Sequence, residues 1–151
     1  MSKNFLLLLQ AFVVLLFFSL MVFEANAVCI SSSYANLRAA PSTKSAKTWK
    51  VVKYMPFQQL KSSRGWTQVK DVDGDTHWVS DSLITSKVKC AVVKAKRANL
   101  RTAPNGAKHP KFSTAEKYVT FRYLGTKGGW AKVQDEQGTS YWISRSLIWV
   151  Q

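Results

Sequence analysis

Downstream of residue 27, apolar and polar positions alternate in short runs, and the same series of runs occurs twice. In the first half, residues 49–54, 57–61, 66–70 and 75–79 are rich in Val, Trp, Phe and Tyr, with Ser62-Ser63-Arg64-Gly65 and Asp73-Gly74 between the later runs. Such runs, bounded by turn residues, predict β-strands joined by hairpins. Residues 28–33 precede them as an edge strand. The second half repeats the order with 90–95, 112–114, 119–124, 130–134 and 140–143, and with turns at 125–129 and 136–138. No segment after residue 27 carries a 3.6-residue apolar period, so the predicted class is all-β. Residues 80–83 and 144–147 read as single helical turns, each returning a leucine to a core.

A repeated heptapeptide frames the two halves. Residues 35–41 read Ala-Asn-Leu-Arg-Ala-Ala-Pro and residues 98–104 read Ala-Asn-Leu-Arg-Thr-Ala-Pro. Gly65-Trp66 matches Gly129-Trp130, Trp78-Val79-Ser80 matches Trp142-Ile143-Ser144, and Ser82-Leu83-Ile84 matches Ser146-Leu147-Ile148, with one residue inserted between the landmarks. Length alone would suggest one domain, but the repeat argues for two units of about 60 residues, at 28–86 and 87–151. Five short strands per unit are too few for a sandwich of two large sheets. They suit a small barrel, which removes exposed strand edges. Units of this size are marginal alone, so a staple or shared interface is expected. Lys87-Val88-Lys89 is too short for a flexible linker, and the units are expected to touch.

The leader sets the compartment. Lys3 precedes an apolar run over 5–23, interrupted by Gln10 and Ser19, and Ala25-Asn26-Ala27 follows with small residues where a signal peptidase reads. Residues 1–27 therefore read as a secretory signal peptide, with cleavage after Ala27 and no membrane span in the mature chain. An uncleaved anchor is the rival, because the run is long enough to span a bilayer. A lipoprotein fits poorly, since Asn26-Ala27-Val28 ahead of Cys29 lacks the lipidation pattern. Periplasm or cell envelope is the expected location. The only two cysteines, Cys29 and Cys90, each stand ahead of one heptapeptide. In an exported chain two cysteines at equivalent positions of the repeats most simply form one disulfide, with two buried thiols as the alternative.

Taken in order, Asn-Leu-Arg-x-x-Pro, a long loop, an aromatic strand, Gly-Trp-x-x-Val, a turn ending in Gly, and Trp-Val or Trp-Ile before Ser-Leu-Ile resemble the bacterial Src homology 3 domain, in two tandem copies. The resemblance spans nearly all of the chain after the leader. It implies two small five-stranded Src homology 3-like β-barrels of a kind found in exported proteins, commonly binding cell-wall material or peptides. One departure concerns the residue before the last-strand tryptophan, commonly glycine in the family and here His77 and Tyr141.

The heptapeptide has a structural reading first. Leu37 and Leu100 suit a core, Asn36 and Asn99 suit a turn, and Pro41 and Pro104 stop the strand. Arg38 and Arg101 either lie along a ring and bond loop carbonyls or contact an anion. Trp66, Trp78, Trp130 and Trp142 occupy equivalent places and can fill a small barrel. At a rim beside Tyr54, Tyr118, Tyr123 or Tyr141, such rings could line a groove for an extended peptide or glycan. The candidate ligand-binding residues are Arg38, Arg101, Tyr54, Trp78, Tyr123, Tyr141 and Trp142.

Asp71, Asp73 and Asp75 do not have the spacing of a calcium loop and read as a hairpin turn. With two non-equivalent histidines, His77 and His109, and both cysteines assigned to a disulfide, no catalytic, metal or cofactor site is expected. The net charge is +14, with Lys44, Lys47, Lys50, Lys53, Lys61 and Arg64 in the first unit and Lys87, Lys89, Lys94, Lys96, Arg97 and Arg101 near the junction. In the cytoplasm this charge would suit nucleic acid, but export redirects it to anionic envelope polymers; a solvated basic surface without a partner is the plainer alternative. The sequence therefore reads as a monomeric, non-enzymatic module binding peptidoglycan, its stem peptides or another envelope component. The alternatives are an adaptor that binds an envelope protein through an aromatic groove, and a targeting subunit for a separate wall hydrolase.

Overall fold

The computed structural model describes residues 26–151. The signal-peptide and anchor readings fall, but for residues 26 and 27, outside the described residues. Among the described residues no helix is long and apolar enough to cross a membrane. The first repeat contains β1 (Ala27–Ile30), β2 (Tyr34–Arg38), β3 (Lys47–Val52), β4 (Pro56–Ser63), β5 (Trp66–Lys70), β6 (Thr76–Ser80) and β7 (Ile84–Thr85). The second contains β8 (Cys90–Val93), β9 (Arg97–Asn99), β10 (Thr114–Glu116), β11 (Thr120–Lys127), β12 (Trp130–Gln134), β13 (Ser140–Ser144) and β14 (Ile148–Val150). Single 3-10 turns at Asp81–Leu83 and Arg145–Leu147 stand where the sequence places helical turns. Leu83 and Leu147 pack against the cores of their own repeats.

The fold is all-β and Src homology 3-like in both repeats, but each repeat has seven strands rather than five, and the sheets are not closed. In the first repeat one ribbon runs β3-β2-β6-β5-β4-β1-β7, and its end strands do not pair. In the second, β13-β12-β11-β8-β14 form one sheet and β9-β10 a separate hairpin, with an isolated bridge between Arg101 and Trp142. One face of the first ribbon supplies Val28, Ile30, Leu37, Val51, Phe57, Val69 and Val79 to a single core. A sheet whose strands all meet one core must wrap around it, so the shape is barrel-like without the last ladder.

The extra strands explain the miscount. Ala35 and Leu37 are buried while Asn36 and Arg38 are only partly covered, so the heptapeptide begins as a strand of period two instead of the turn suggested by its asparagines. β7 and β14 are two and three residues long, too short to stand out by composition.

Register also corrects the placing of the cysteines. Gln58 pairs with Lys70 and Arg122 with Gln134, which makes β4 and β11 equivalent strands. On β4, Ala27 faces Gln58 and Cys29 faces Pro56; on β11, Cys90 faces Arg122 and Val92 faces Thr120. Cys90 is thus the counterpart of Ala27, and Cys29 that of Val92, a shift of two residues. A two-residue shift preserves the face of a strand. Val28 and Ile30 enter the first core, Ala91 and Val93 the second, and both cysteines project from the opposite faces, where they form a disulfide and are fully buried. β1 and β8 are therefore packed back to back. Val92 belongs to the first repeat's core cluster, and Trp149 packs against it.

The disulfide links positions 61 residues apart. In the chain-entropy view, closing a loop of this length stabilises by about 4 kcal/mol. A Cys29→Ala/Cys90→Ala double variant is expected to lose about 3–4 kcal/mol, read as a lower urea midpoint than that of the oxidised protein.

Candidate functional site

The hairpin turns between β5 and β6 and between β12 and β13 are built alike. Asp71 N–H donates to the Asp75 carbonyl and Asp135 N–H to that of Thr139, while Gly74 and Gly138 donate back to Asp71 and Asp135. One carboxylate oxygen of Asp71 accepts the N–H groups of Asp73 and Asp75, and the corresponding oxygen of Asp135 accepts that of Thr139. The other oxygen holds a ring from the last long strand: His77 Nε2 lies 3.2 Å from Asp71 and Tyr141 donates to Asp135 at 2.7 Å. His77 and Tyr141 thus have one structural role, fixing the turn to the sheet. Burial and the Asp135 carboxylate push the Tyr141 hydroxyl up to about 12. His77 Nδ1 also meets the Thr48 hydroxyl at 2.8 Å. Among the described residues no group of three His, Cys, Asp or Glu is placed to hold a metal ion.

Each Asp turn faces an edge strand across a gap. β3 pairs only with β2, and β10 only with β9. In the first repeat the gap has a volume of about 270 Å³ and is lined by Thr48, Trp49, Asp71, Asp73, Asp75 and His77. Tyr118 of the second repeat enters it. Its hydroxyl donates to Asp73 at 2.6 Å, Lys117 Nζ donates to the same carboxylate at 2.9 Å, and the Trp49 ring meets Tyr118 edge-on at 5.1 Å. These contacts hold the Asp73 carboxyl below its ordinary value, the Tyr118 bond contributing most.

The counterpart gap in the second repeat is about 590 Å³ and open. Phe112, β10, Asp135, Glu136, Gln137 and Tyr141 line one side, with Val52, Lys53 and Tyr54 of the first repeat opposite. Phe112 is 50% and Val52 51% exposed there. Lys53-Tyr54 is the structural counterpart of Lys117-Tyr118. Both tyrosines stand at the third position of a tight turn, with Met55 N–H donating to Val52 and Val119 N–H to Glu116, and both have positive φ, 66° and 70°. Glycine normally serves there, so each ring is held where an L-residue rarely goes.

The residues singled out from sequence fall into three places. Arg38 and Arg101 each donate through Nη1 to a loop carbonyl, of Ser45 and Gly106, at 2.7 Å; Arg101 also lies 5.6 Å from the Trp130 ring centre, and its Nε is buried without a partner. Each arginine pairs across the sheet with a last-strand tryptophan, Arg38 with Trp78 and Arg101 with Trp142. Trp78 continues to Gln68 and Lys61, and Trp142 to Lys132. Val79 and Val69 point to the core, so this row lies on the outer face. Lys61 Nζ stands 5.7 Å over the Trp78 ring, which is itself buried.

Tyr54 and Tyr141 meet in the open gap, with Tyr141 buried at its floor. Tyr123 lies apart, sharing a hydrogen bond with Thr126 and a hollow with Lys89 and Arg145. Sequence reasoning passed over Asp73 and Phe112 as site residues and did not see Tyr118 as a plug. The visible signal was the Lys-Tyr pair repeated at 53–54 and 117–118.

The fold and its paired outer rows define a tandem Src homology 3-like protein with open, barrel-like sheets. The family model for the bacterial SH3 domain matches the chain twice, over residues 31–85 and 94–150, and the chain belongs to that family. No curated protein matches it in sequence. Among solved structures, NlpC2 of Trichomonas vaginalis has a TM-score of 0.37 and 9% identity, covering 82% of this chain and 47% of that one. NlpC1 of Trichomonas vaginalis has a TM-score of 0.34 and 10% identity, covering 82% of this chain and 45% of that one. The CBD of endolysin LysPBC5 has a TM-score of 0.35 and 12% identity, covering 83% and 93%. The chain thus spans less than half of either Trichomonas chain.

The Asp73 clamp gives a pH dependence of known sign. A carboxyl with a lowered folded pKa adds stability above its unfolded value, near 4, and loses it as pH falls through the folded value. Because Asp73 is more than one-third exposed, solvent screening keeps the clamp's contribution to stability small. Asp73→Asn is expected to lower the urea midpoint at pH 7 and to make progressively less difference as pH falls below about 4 towards the lowered folded value.

Proposed function

We propose that this protein is an exported, non-enzymatic binding module for the cell envelope, with peptidoglycan or its stem peptides as the first target. One observation carries the reading: the outer row of arginine, tryptophan and lysine recurs in both repeats, as Arg38-Trp78-Gln68-Lys61 and Arg101-Trp142-Lys132. Membership of the bacterial SH3 domain family supports it. So does the chemistry of the row. Trp142 is half-buried and shows part of a flat apolar ring to a glycan or peptide, Trp78 lies buried beneath Lys61, and the flanking ammonium groups attract an anionic polymer, on a chain of net charge +14. Lys61 and Lys132 are exposed and carry the electrostatic part. The module acts as a monomer in the periplasm or envelope, with its units at 28–86 and 87–151. No cofactor or nucleic acid enters the reading.

An exposed cation–polyanion attraction is screened over about 8–10 Å at physiological salt. The protein is expected to sediment with purified peptidoglycan at low salt and to be largely released at high salt. Lys61→Glu with Lys132→Glu is expected to weaken sedimentation by roughly tenfold, about 0.7 kcal/mol for each exposed charge. A protein that stays in the supernatant at low salt would refute the reading.

A further inference from the structure

We infer that the open gap of the second repeat is a docking site for a partner protein segment that presents an aromatic side chain directly after a lysine or arginine. The first repeat shows the binding mode within the chain itself. There the second repeat's Lys117-Tyr118 enters the equivalent gap, its ring edge-on to Trp49 and its hydroxyl and ammonium sharing the Asp73 carboxylate. The two gaps are the same construction, an edge strand facing an Asp turn with a ring from the last long strand at the floor.

The counterpart dipeptide borders the second gap without being tied into it, for a local reason. Asp73 corresponds to Gln137, which carries no charge with which to accept a phenol and an ammonium together. Lys53 reaches only the neighbouring Glu136, at 3.7 Å, while both lysines stand over their own tyrosine ring, at 5.4 Å for Lys53 and 4.6 Å for Lys117. The gap therefore keeps an exposed apolar wall at Phe112 and carboxylates at Asp135 and Glu136.

The backbone favours an extended occupant. Leu100 N–H donates to the Ser113 carbonyl and Lys117 N–H to that of Lys96, so residues 113 and 117 turn towards β9. By the alternation of an antiparallel ladder, the N–H groups of Thr114 and Glu116 lie on the unpaired edge. An incoming segment can add there as a strand while its aromatic side chain enters the gap. Charge selects the flanking residue. Six of the seven described carboxylates, Asp71, Asp73, Asp75, Glu116, Asp135 and Glu136, line the two gaps, on a chain of net charge +14. Around the open gap Glu116, Asp135 and Glu136 stand against Lys53 and Lys117, an excess of one negative charge, so the occupant should be basic. This surface shares no residue with the outer rows.

The test titrates the ¹⁵N-labelled protein with a synthetic peptide copying residues 115–121, the chain's own plug. Saturable shifts are expected at residues 112–116 and 135–138. Binding should fall about tenfold when the peptide's tyrosine becomes alanine or its lysine becomes glutamate. Phe112→Ala and Glu136→Lys, both at exposed positions, should weaken it similarly. Gln137→Asp restores the missing acceptor, so Lys53-Tyr54 should enter the gap and exclude the peptide. Shifts centred on Trp49 and Asp73, equal binding of the alanine peptide, or the absence of saturable shifts would overturn the inference. So would self-association of the protein through this face, read by sedimentation velocity. Peptidoglycan sedimentation depends on Lys61 and Lys132 and is scored separately, so either result can fail alone.

Discussion

The structure depends on one packing event, the back-to-back contact of β1 and β8. Each repeat has about 60 residues and a correspondingly small core, close to the limit for independent folding. The outward face of one strand in each repeat is buried against the other, and the disulfide stands at the centre of that contact. Val92 and Trp149 then extend the first repeat's core with side chains from the second. The same contact brings the tyrosine-bearing turns of the two repeats together, and Thr120 donates to the Lys53 carbonyl at 2.7 Å. The clamp at Asp73 and the open gap opposite are consequences of that placement.

The arrangement approximates a two-fold relation, and its departures are informative. Lys53-Tyr54 and Lys117-Tyr118 are equivalent, as are Asp71 and Asp135, and His77 and Tyr141. Replacement of an aspartate by Gln137 breaks the relation, because an amide cannot substitute for a carboxylate that accepts a phenol and an ammonium at once. The continuous ribbon of the first repeat and the split sheet of the second point the same way. The first gap is tied across by the bonds to Asp73, while the second remains parted along β10.

Much of this was legible in the sequence because it is local or periodic. The repeats, the all-β class, the hairpin turns at Gly65 and Gly74 and the helical turns after Ser80 and Ser144 all follow from patterns within a few residues. The outer placing of Arg38 and Arg101 beside last-strand tryptophans was harder to read, since a strand beginning with Asn-Leu-Arg resembles a turn by composition. The offset between the cysteines was legible too. Cys29 stands six residues before Ala35 and Cys90 eight before Ala98, the same two-residue shift that the registers of β4 and β11 show. The positive φ of Tyr54 and Tyr118 was invisible because no glycine or asparagine marks it. Which tyrosine would cross to the other repeat depends on residue 73 against residue 137, a comparison that matters only once the two gaps are known to face each other.

Rigidity gives the tandem its functional sense. Two units on a flexible linker would explore many separations, and a polymer bound by one would meet the other at a local concentration set by the linker. Here the disulfide, the shared core and the Asp73 clamp fix the separation, so on the proposed reading both outer rows would meet a polymer in one geometry. A repeating polymer whose spacing suits that geometry gains the second contact without the ordering cost of a loose tether, and one whose spacing does not suit gains only the first. Selectivity between envelope polymers can therefore arise from the junction between repeats as well as from the residues that touch the ligand.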